Sequence, residues 1–269
     1  MDTIVIKGGV ALSGTVATGG AKNSALPLLF ATLLADGEHR FDNVPALMDI
    51  DSTAVLLEHL HCAVQRENGT LVVDVSDCGG SDAPYDIVRK MRASILCLGP
   101  LLTRYGRARV SLPGGCAIGT RPVNLHIEAL RQMGAEIDIE GGYVNARADR
   151  LHGACIVFEN ATVGGTENLM LAAVLAEGTT VLENAAKEPE IVDLAEYLVK
   201  MGARIEGAGS SVITIEGVDR LHPARHTVIP DRIEAGTLLI AGAITGGDVT
   251  VTDCIPGHID ALTRRMAEC

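Results

Sequence analysis

This chain of 269 residues has no tryptophan, three phenylalanines and four tyrosines. Its cores must therefore be built from aliphatic side chains. It has no Cys-x-x-Cys pair; its seven cysteines, Cys62, Cys78, Cys97, Cys116, Cys155, Cys254 and Cys269, are scattered and odd in number. That pattern excludes a disulfide framework or a zinc-ribbon spacing and reads as reduced thiols. It lacks a long apolar run. The longest, Ala25 to Ala35, holds Pro27 and Thr32 and is too short to span a bilayer. The first residues, Met1-Asp2-Thr3-Ile4-Val5-Ile6-Lys7, contain no basic segment followed by a hydrophobic stretch, so no signal peptide is visible and the expected location is cytoplasmic. Finally, positive charge is in deficit. The formal net charge of −12 argues against a nucleic-acid partner or an acidic membrane surface. It leaves room for a small anionic ligand, because a pocket can be locally basic on an acidic protein.

What is present is a repeat. Gly37, Gly106, Gly178 and Gly247 stand 69, 72 and 69 residues apart. Each follows an apolar segment and precedes a strand-like run, which predicts helix, glycine C-cap, strand. A second, amphipathic helix follows, over Ile50–Leu60, Leu125–Met133 and Ile191–Met201. Two strands come next, with Gly141-Gly142 between alternating residues as a hairpin signal. The first helices, Ala25–Ala35, Ala93–Leu102, Leu169–Ala176 and Thr237–Ile244, are apolar almost all round and must be buried on every side. The pattern predicts an α/β (α+β) protein with helices inside and sheets outside. An open solenoid is the competing architecture. The fourth repeat stops inside its second helix, so the expectation is a fragment or a truncated product.

The chemistry concentrates in Leu112-Pro113-Gly114-Gly115-Cys116-Ala117-Ile118-Gly119-Thr120-Arg121-Pro122-Val123-Asn124-Leu125-His126. Glycines allow close backbone approach, a thiol near a guanidinium is biased toward thiolate, and arginine captures phosphate or carboxylate bidentately. Together they suggest a reactive cysteine facing a small anion. The bland alternative is a free cysteine in a turn. A second candidate is Thr18-Gly19-Gly20-Ala21-Lys22-Asn23-Ser24, glycines before a helix start, where free N–H groups and the helix dipole attract anions. Its bland alternative is Asn23 or Ser24 as an N-cap with Lys22 in solvent. It is not a Walker A loop, and no Rossmann fingerprint exists. His126 is either a site contact or a helix-end residue. Glu190, Asp231 and Glu234 are either site groups or helix caps. No metal-ligand spacing is evident.

These segments occur in order with Arg89-Lys90-Met91-Arg92-Ala93-Ser94, Gly165-Thr166-Glu167-Asn168, Asn184-Ala185-Ala186-Lys187-Glu188-Pro189-Glu190-Ile191-Val192-Asp193 and Pro230-Asp231-Arg232-Ile233-Glu234-Ala235-Gly236-Thr237. The set closely resembles the UDP-N-acetylglucosamine 1-carboxyvinyltransferase family of enolpyruvyl transferases, over the whole chain. The resemblance implies an inside-out α/β barrel of β-α-β-α-β-β units in two similar domains. Residues 22–229 would be a complete inserted domain of three units, and 1–21 plus 230–269 the incomplete other domain. It implies transfer of the enolpyruvyl group of phosphoenolpyruvate to the 3′-hydroxyl of UDP-N-acetylglucosamine with release of phosphate, the first committed step of peptidoglycan synthesis. No cofactor is implied, and the full-length family is expected to be monomeric.

By the same resemblance, Cys116 matches the proton donor, which can also capture phosphoenolpyruvate covalently. Lys22 matches the lysine that binds phosphoenolpyruvate and the intermediate. Arg121 and Arg92 match basic residues of the site, and Asn23 matches a residue that orients the sugar. Arg121, Pro122, Val123, Asn124 and Leu125 match the segment lining the UDP-sugar site. His126, Glu190 and Asp231 are further candidates. The chain departs from the family at Asn124, where many members carry aspartate, and at Asn160, where some carry a basic residue. The family's sugar-deprotonating aspartate and several anion-binding arginines fall beyond residue 269. The alternatives are the related shikimate-pathway enolpyruvyl transferase, which lacks such a cysteine loop, and a non-catalytic remnant that binds UDP-sugar or a partner protein.

Overall fold

Helices that are apolar on every side can persist only where other elements cover them completely, and the repeats supply that cover. The computed structural model describes residues 3–76, 79–88, 91–112 and 123–269. The chain divides into two compact units, Met1–Ala21 with Ile229–Cys269, and Lys22–Val228.

In chain order, β1 (Ser13–Ala17) leads to α1 (Lys22–Ala31) and a 3-10 turn, Thr32–Leu34. Next come β2 (Glu38–Asp42), α2 (Met48–His59), β3 (Ala63–Glu67) and β4 (Thr70–Asp74). The second repeat contains β5 (Asp82–Ala83), α3 (Tyr85–Val88), a 3-10 segment Arg92–Cys97 continuous with α4 (Leu98–Tyr105), β6 (Arg107–Ser111), α5 (Asn124–Gln132), β7 (Glu136–Glu140) and β8 (Tyr143–Arg147). The third contains β9 (Cys155–Val157), α6 (Val163–Ala173), β10 (Thr179–Glu183), α7 (Pro189–Lys200), β11 (Arg204–Glu206) and β12 (Val212–Glu216). The chain ends with β13 (Arg225–Thr227), α8 (Arg232–Ile244), β14 (Asp248–Thr252), a 3-10 turn Pro256–Ile259 and α9 (Asp260–Ala267).

The described residues of 22–228 form three four-stranded sheets, β13-β2-β4-β3, β5-β6-β8-β7 and β11-β12-β10-β9. Each has one parallel pair, β13 with β2, β5 with β6, β9 with β10; the other pairs are antiparallel. The last strand of the unit thus pairs with its first, His226 opposite Phe41, which closes the ring and rules out an open solenoid. Inside lie α1, α4 and α6. Every residue of α1 from Ser24 to Ala31 is buried, as is every residue of α6 from Gly165 to Ala173. α4 and α6 approach so closely that a side chain at Gly99 would meet the Asn168 carbonyl oxygen at 2.5 Å, so only glycine fits.

In the other unit, β1 lies parallel to β14, Ser13 opposite Asp248 through Ala17 opposite Thr252. α8 packs on β14, and Gly236 faces Leu262 of α9. Cover is thin here. Ile233, Ile240 and Ile244 of α8 are 52%, 44% and 81% exposed, and α9 has no buried residue.

The helix boundaries read from the apolar runs need correction. α1 starts three residues earlier than Ala25, α6 six residues earlier than Leu169, and α8 five residues earlier than Thr237. Each apolar run is preceded by a polar helical turn that periodicity does not register. The expected helix Ala93–Leu102 is 3-10 up to Cys97 and α-helical only afterwards. The glycine caps are also uneven. Gly106 caps α4 in the left-handed region at φ 70°. α6 already ends at Ala173, well before Gly178, and in the last repeat the positive φ falls on Gly246 rather than Gly247. The hairpin at Gly141-Gly142 is present, with φ 58° and 82°.

Candidate active site

Within residues 22–228 the helix starts gather at one end. Ser24, third in α1, donates its hydroxyl to Asp193, fifth in α7. The Ala186 amide, just before α7, donates to Thr166 Oγ1 in the first turns of α6 at 3.1 Å. Asn168 of α6 joins His126, third in α5, and Ile95 of the 3-10 segment. Lys22 opens α1 and pairs with Asp49, second in α2, at 2.9 Å. Helix N-termini present free N–H groups and the positive end of the dipole, so this end of the unit favours anions.

Lys22 is therefore neither free in solvent nor buried. Its ammonium leans on Asp49 with both side chains about one-third exposed, 38% and 35%. Asn23 is exposed, while Ser24 is fully buried and not an N-cap. Pro27 lies inside α1 and has no N–H, so the Asn23 carbonyl lacks its i+4 helical donor. In the other unit, the Gly19 amide is already taken by Glu234 Oε2 at 2.8 Å. The glycines before Lys22 thus hold one of the protein's own carboxylates at Gly19, a correction to their reading as an open anion cradle.

The segment after β6 passes through Leu112, whose amide donates to the Gly142 carbonyl at 2.8 Å. Cys116, Arg121 and Pro122, with the rest of 113–122, lie outside the described residues, as does the Arg92 side chain. Beyond them Val123 precedes α5, Asn124 is exposed and Leu125 is partly covered. His126 is buried, and burial lowers its imidazole to about 4. The Asn168 amide donates to its Nδ1 at 2.9 Å. The same amide donates to the Ile95 carbonyl at 3.2 Å, and Asn168 Oδ1 accepts from the Gly99 amide at 2.8 Å. Asn168 thus joins α5, α6 and α4, and His126 belongs to that joint.

Glu190 is buried in the first turn of α7. Beside it Glu167, fully enclosed in α6, is pushed well above the usual carboxyl range by burial first and by Glu190 and Glu188 next. Its Oε1 has no hydrogen-bond partner among the described residues. Asp231 caps α8, accepting from the Ile233 and Glu234 amides at 2.8 and 3.1 Å, as the cap alternative expects. Among the described cysteines Cys97 is buried, its thiol pushed up to about 12, whereas Cys155 is exposed. Among the described residues no group of three His, Cys, Asp or Glu could hold a metal, and no helix is long and apolar enough to cross a membrane.

Sequence reasoning assigned no role to Asp49, Glu167 or Asn168. Glu167 and Asn168 carried a visible signal, two polar residues opening an otherwise apolar helix. Asp49 carried none, because its contact with Lys22 depends on how α1 and α2 pack. The opposite end of the unit holds a cleft of about 400 Å³ between the ends of the inner helices. There Arg104 pairs with Asp36 and Arg150 with Asp219, so its charge is largely internal.

The inner helices, outer sheets and gathered helix starts define the class as the enolpyruvyl-transferase fold. The solved structure of the enolpyruvyl transferase NikO from Streptomyces tendae superposes with TM-score 0.81 at 26% identity, covering 97% of this chain and 61% of that one. EPSP synthase from Acinetobacter baumannii superposes with TM-score 0.76 at 20% identity, covering 96% and 60%, a likeness of fold. The family model described as EPSP synthase (3-phosphoshikimate 1-carboxyvinyltransferase) matches residues 6–268, and the chain belongs to that family. It is also homologous to proteins named UDP-N-acetylglucosamine 1-carboxyvinyltransferase. The relative from Bdellovibrio bacteriovorus is 60% identical over 265 residues, covering 98% of this chain and 64% of its own length. That from Myxococcus xanthus is 55% identical over 271 residues, covering 100% and 64%. The chain spans about two-thirds of the length of these relatives, 64% in each case.

Proposed function

We propose that this chain is the larger part of a cytoplasmic enzyme of peptidoglycan synthesis. The enzyme transfers the enolpyruvyl group of phosphoenolpyruvate to the 3′-hydroxyl of UDP-N-acetylglucosamine and releases phosphate. The observation that carries the reading is the convergence of helix N-termini around Lys22, at the end of the unit from which the segments carrying Arg92 and Asn124 start. Identities of 53–60% to relatives bearing that name support it, against 20% for the EPSP synthase structure. Residues 22–229 are read as the complete inserted domain and 1–21 with 230–269 as part of the other.

In this reading the sugar hydroxyl gives up its proton as its oxygen adds to carbon 2 of the enol phosphate, while carbon 3 gains a proton, giving a tetrahedral intermediate. Loss of phosphate and of a proton from carbon 3 restores the double bond on the product. Cys116 is the proton donor. Lys22, Arg92 and Arg121 hold the phosphate and carboxylate, with the helix dipoles adding to their field. Asn23 and the segment Arg121–Leu125 orient the UDP-sugar. Asp49 is the resting counter-ion of Lys22.

The test is alkylation with iodoacetamide, mapped by mass spectrometry. Cys116 is expected to react first among the seven thiols, and phosphoenolpyruvate to protect it. Cys97 is expected to stay unlabelled until the protein unfolds. Faster labelling of Cys155 than of Cys116, or no protection by phosphoenolpyruvate, would remove the assignment.

A further inference from the structure

The chain crosses between its two compact units twice, at Ala21–Lys22 and at Val228–Ile229. Two residues inside the first crossing stands Ser24. Two residues inside the second stands His226. Both belong to the unit 22–228, and both are held by one buried carboxylate. Asp193 Oδ2 accepts the Ser24 hydroxyl, and its Oδ1 lies 2.7 Å from His226 Nε2. The Asp193 and His226 side chains are 1% and 2% exposed.

The chemistry of the partners assigns the proton positions. Lys200 Nζ lies 2.9 Å from His226 Nδ1, and an ammonium can only donate. His226 Nδ1 therefore accepts, and the imidazole carries its proton on Nε2 and donates it to Asp193. A buried carboxylate without partners is strongly disfavoured. Here both oxygens are engaged, and the ring that donates to one of them accepts in turn from a lysine at the surface. Tyr197, one turn after Asp193, packs edge-on against His226 at 5.5 Å between centroids, and its hydroxyl meets His39 Nδ1 at 2.5 Å. The ring that Asp193 holds is thereby fixed in orientation as well as position.

We infer that Asp193 is a positioning residue. By gripping Ser24 and His226 together it anchors both interunit connections to α7, and through Ser24 it sets the first turn of α1 that presents Lys22 and Asn23. The functional half of this inference rests on the reading of Lys22 and Asn23 as substrate-binding residues. The geometric half does not.

The experiment uses the whole chain and amide hydrogen exchange in four forms: the parent, Ser24→Ala, His226→Phe and Asp193→Ala. His226→Phe keeps the ring against Tyr197 while removing both hydrogen bonds. Ser24→Ala is expected to speed exchange of Leu26, Leu28 and Leu29 at least tenfold and leave 226–228 unchanged. His226→Phe is expected to do the reverse, and Asp193→Ala to loosen both segments while α6 exchanges as before. Asp193→Asn, which can still bond both partners, should restore most of the protection. Nitrogen-15 spectra should show the His226 proton on Nε2 in the parent and in Ser24→Ala.

A proton on Nδ1, or an Asp193→Ala variant loosened evenly through α6, would overturn the clamp. If Asp193→Ala fails to fold, the separate loosening by the two single variants decides the question. Titration with phosphoenolpyruvate completes the test. Shifts at Lys22 and Asn23 that weaken tenfold in Ser24→Ala support positioning. No shift in the parent overturns the substrate reading and leaves the clamp to the exchange data.

Discussion

Histidine burial and carboxyl burial pull the acid stability of this chain in opposite directions. His39 and His126 are both lowered to about 4, by burial first. Unfolded, a histidine titrates near 6.5, so between those values the unfolded chain binds more protons and stability falls as pH drops. Each site contributes about 3 kcal/mol of loss by pH 4, at 1.36 kcal/mol per unit. Glu167 acts the other way. Its raised carboxyl stays protonated in the fold while the unfolded chain releases the proton above about 4.5, so its contribution is lost as pH rises. Urea midpoints at pH 5 and 6.5 separate the two. Glu167→Gln is neutral at every pH, and its stability should climb more steeply over that interval than that of the parent. Equal slopes would mean that Glu167 titrates normally. None of these shifts was legible in the sequence. A histidine at the start of a helix reads alike whether it caps, ligates or packs, and the Asn168 contact at its Nδ1 could not be foreseen.

The elements were legible where one physical signal controls them. Four glycines at a near-constant spacing marked four helix-to-strand passages, and Gly141-Gly142 marked its hairpin. The pairing of β13 with β2 was not legible, because three residues of strand carry no register and the partner lies far away in sequence. A second repeat feature went unread. Six residues after the repeat glycines stand Asn43, Asn184 and Asp253, all left-handed, at φ 58°, 55° and 51°. Asn43 Nδ2 donates to the Val228 carbonyl and Asn184 Nδ2 to the Phe158 carbonyl, each at 2.9 Å, closing the parallel strand pair. The second repeat has Leu112 at that position, and there the chain departs into the cysteine-bearing segment. In sequence, the cysteine-bearing segment thus follows the repeat position that has leucine in place of Asn or Asp. Replacing Asn184 with alanine removes a hydrogen bond and a residue tolerant of the left-handed region, at a cost of about 2 kcal/mol. Asn184→Gly keeps the backbone freedom and should lose less. Urea denaturation of both variants measures the difference, and equal losses would show that the backbone conformation contributes nothing.

At the scale of the whole molecule the two units differ in how well they enclose their helices. Residues 22–228 bury α1 and α6 on every side and close their sheets into a ring. Residues 3–21 with 229–269 offer a two-stranded sheet and leave Ile4, Val5 and Ile6 more than 80% exposed. A two-stranded ribbon is marginal alone in water, and apolar surface left open favours self-association. Residues 22–228 expressed alone should therefore fold and melt cooperatively. In the full chain, exchange protection should be lost first from β1, β14 and α8, at lower urea than from α6. Catalysis adds a second requirement. By the family resemblance, the residue that deprotonates the sugar hydroxyl and several anion-binding arginines fall outside these 269 residues, while Lys22 and Cys116 fall within them. Phosphoenolpyruvate and UDP-N-acetylglucosamine supplied together should then release no phosphate from the purified chain. Phosphate release that depends on both substrates, from protein verified by mass to end at Cys269, would mean that the chemistry needs nothing beyond what these residues hold.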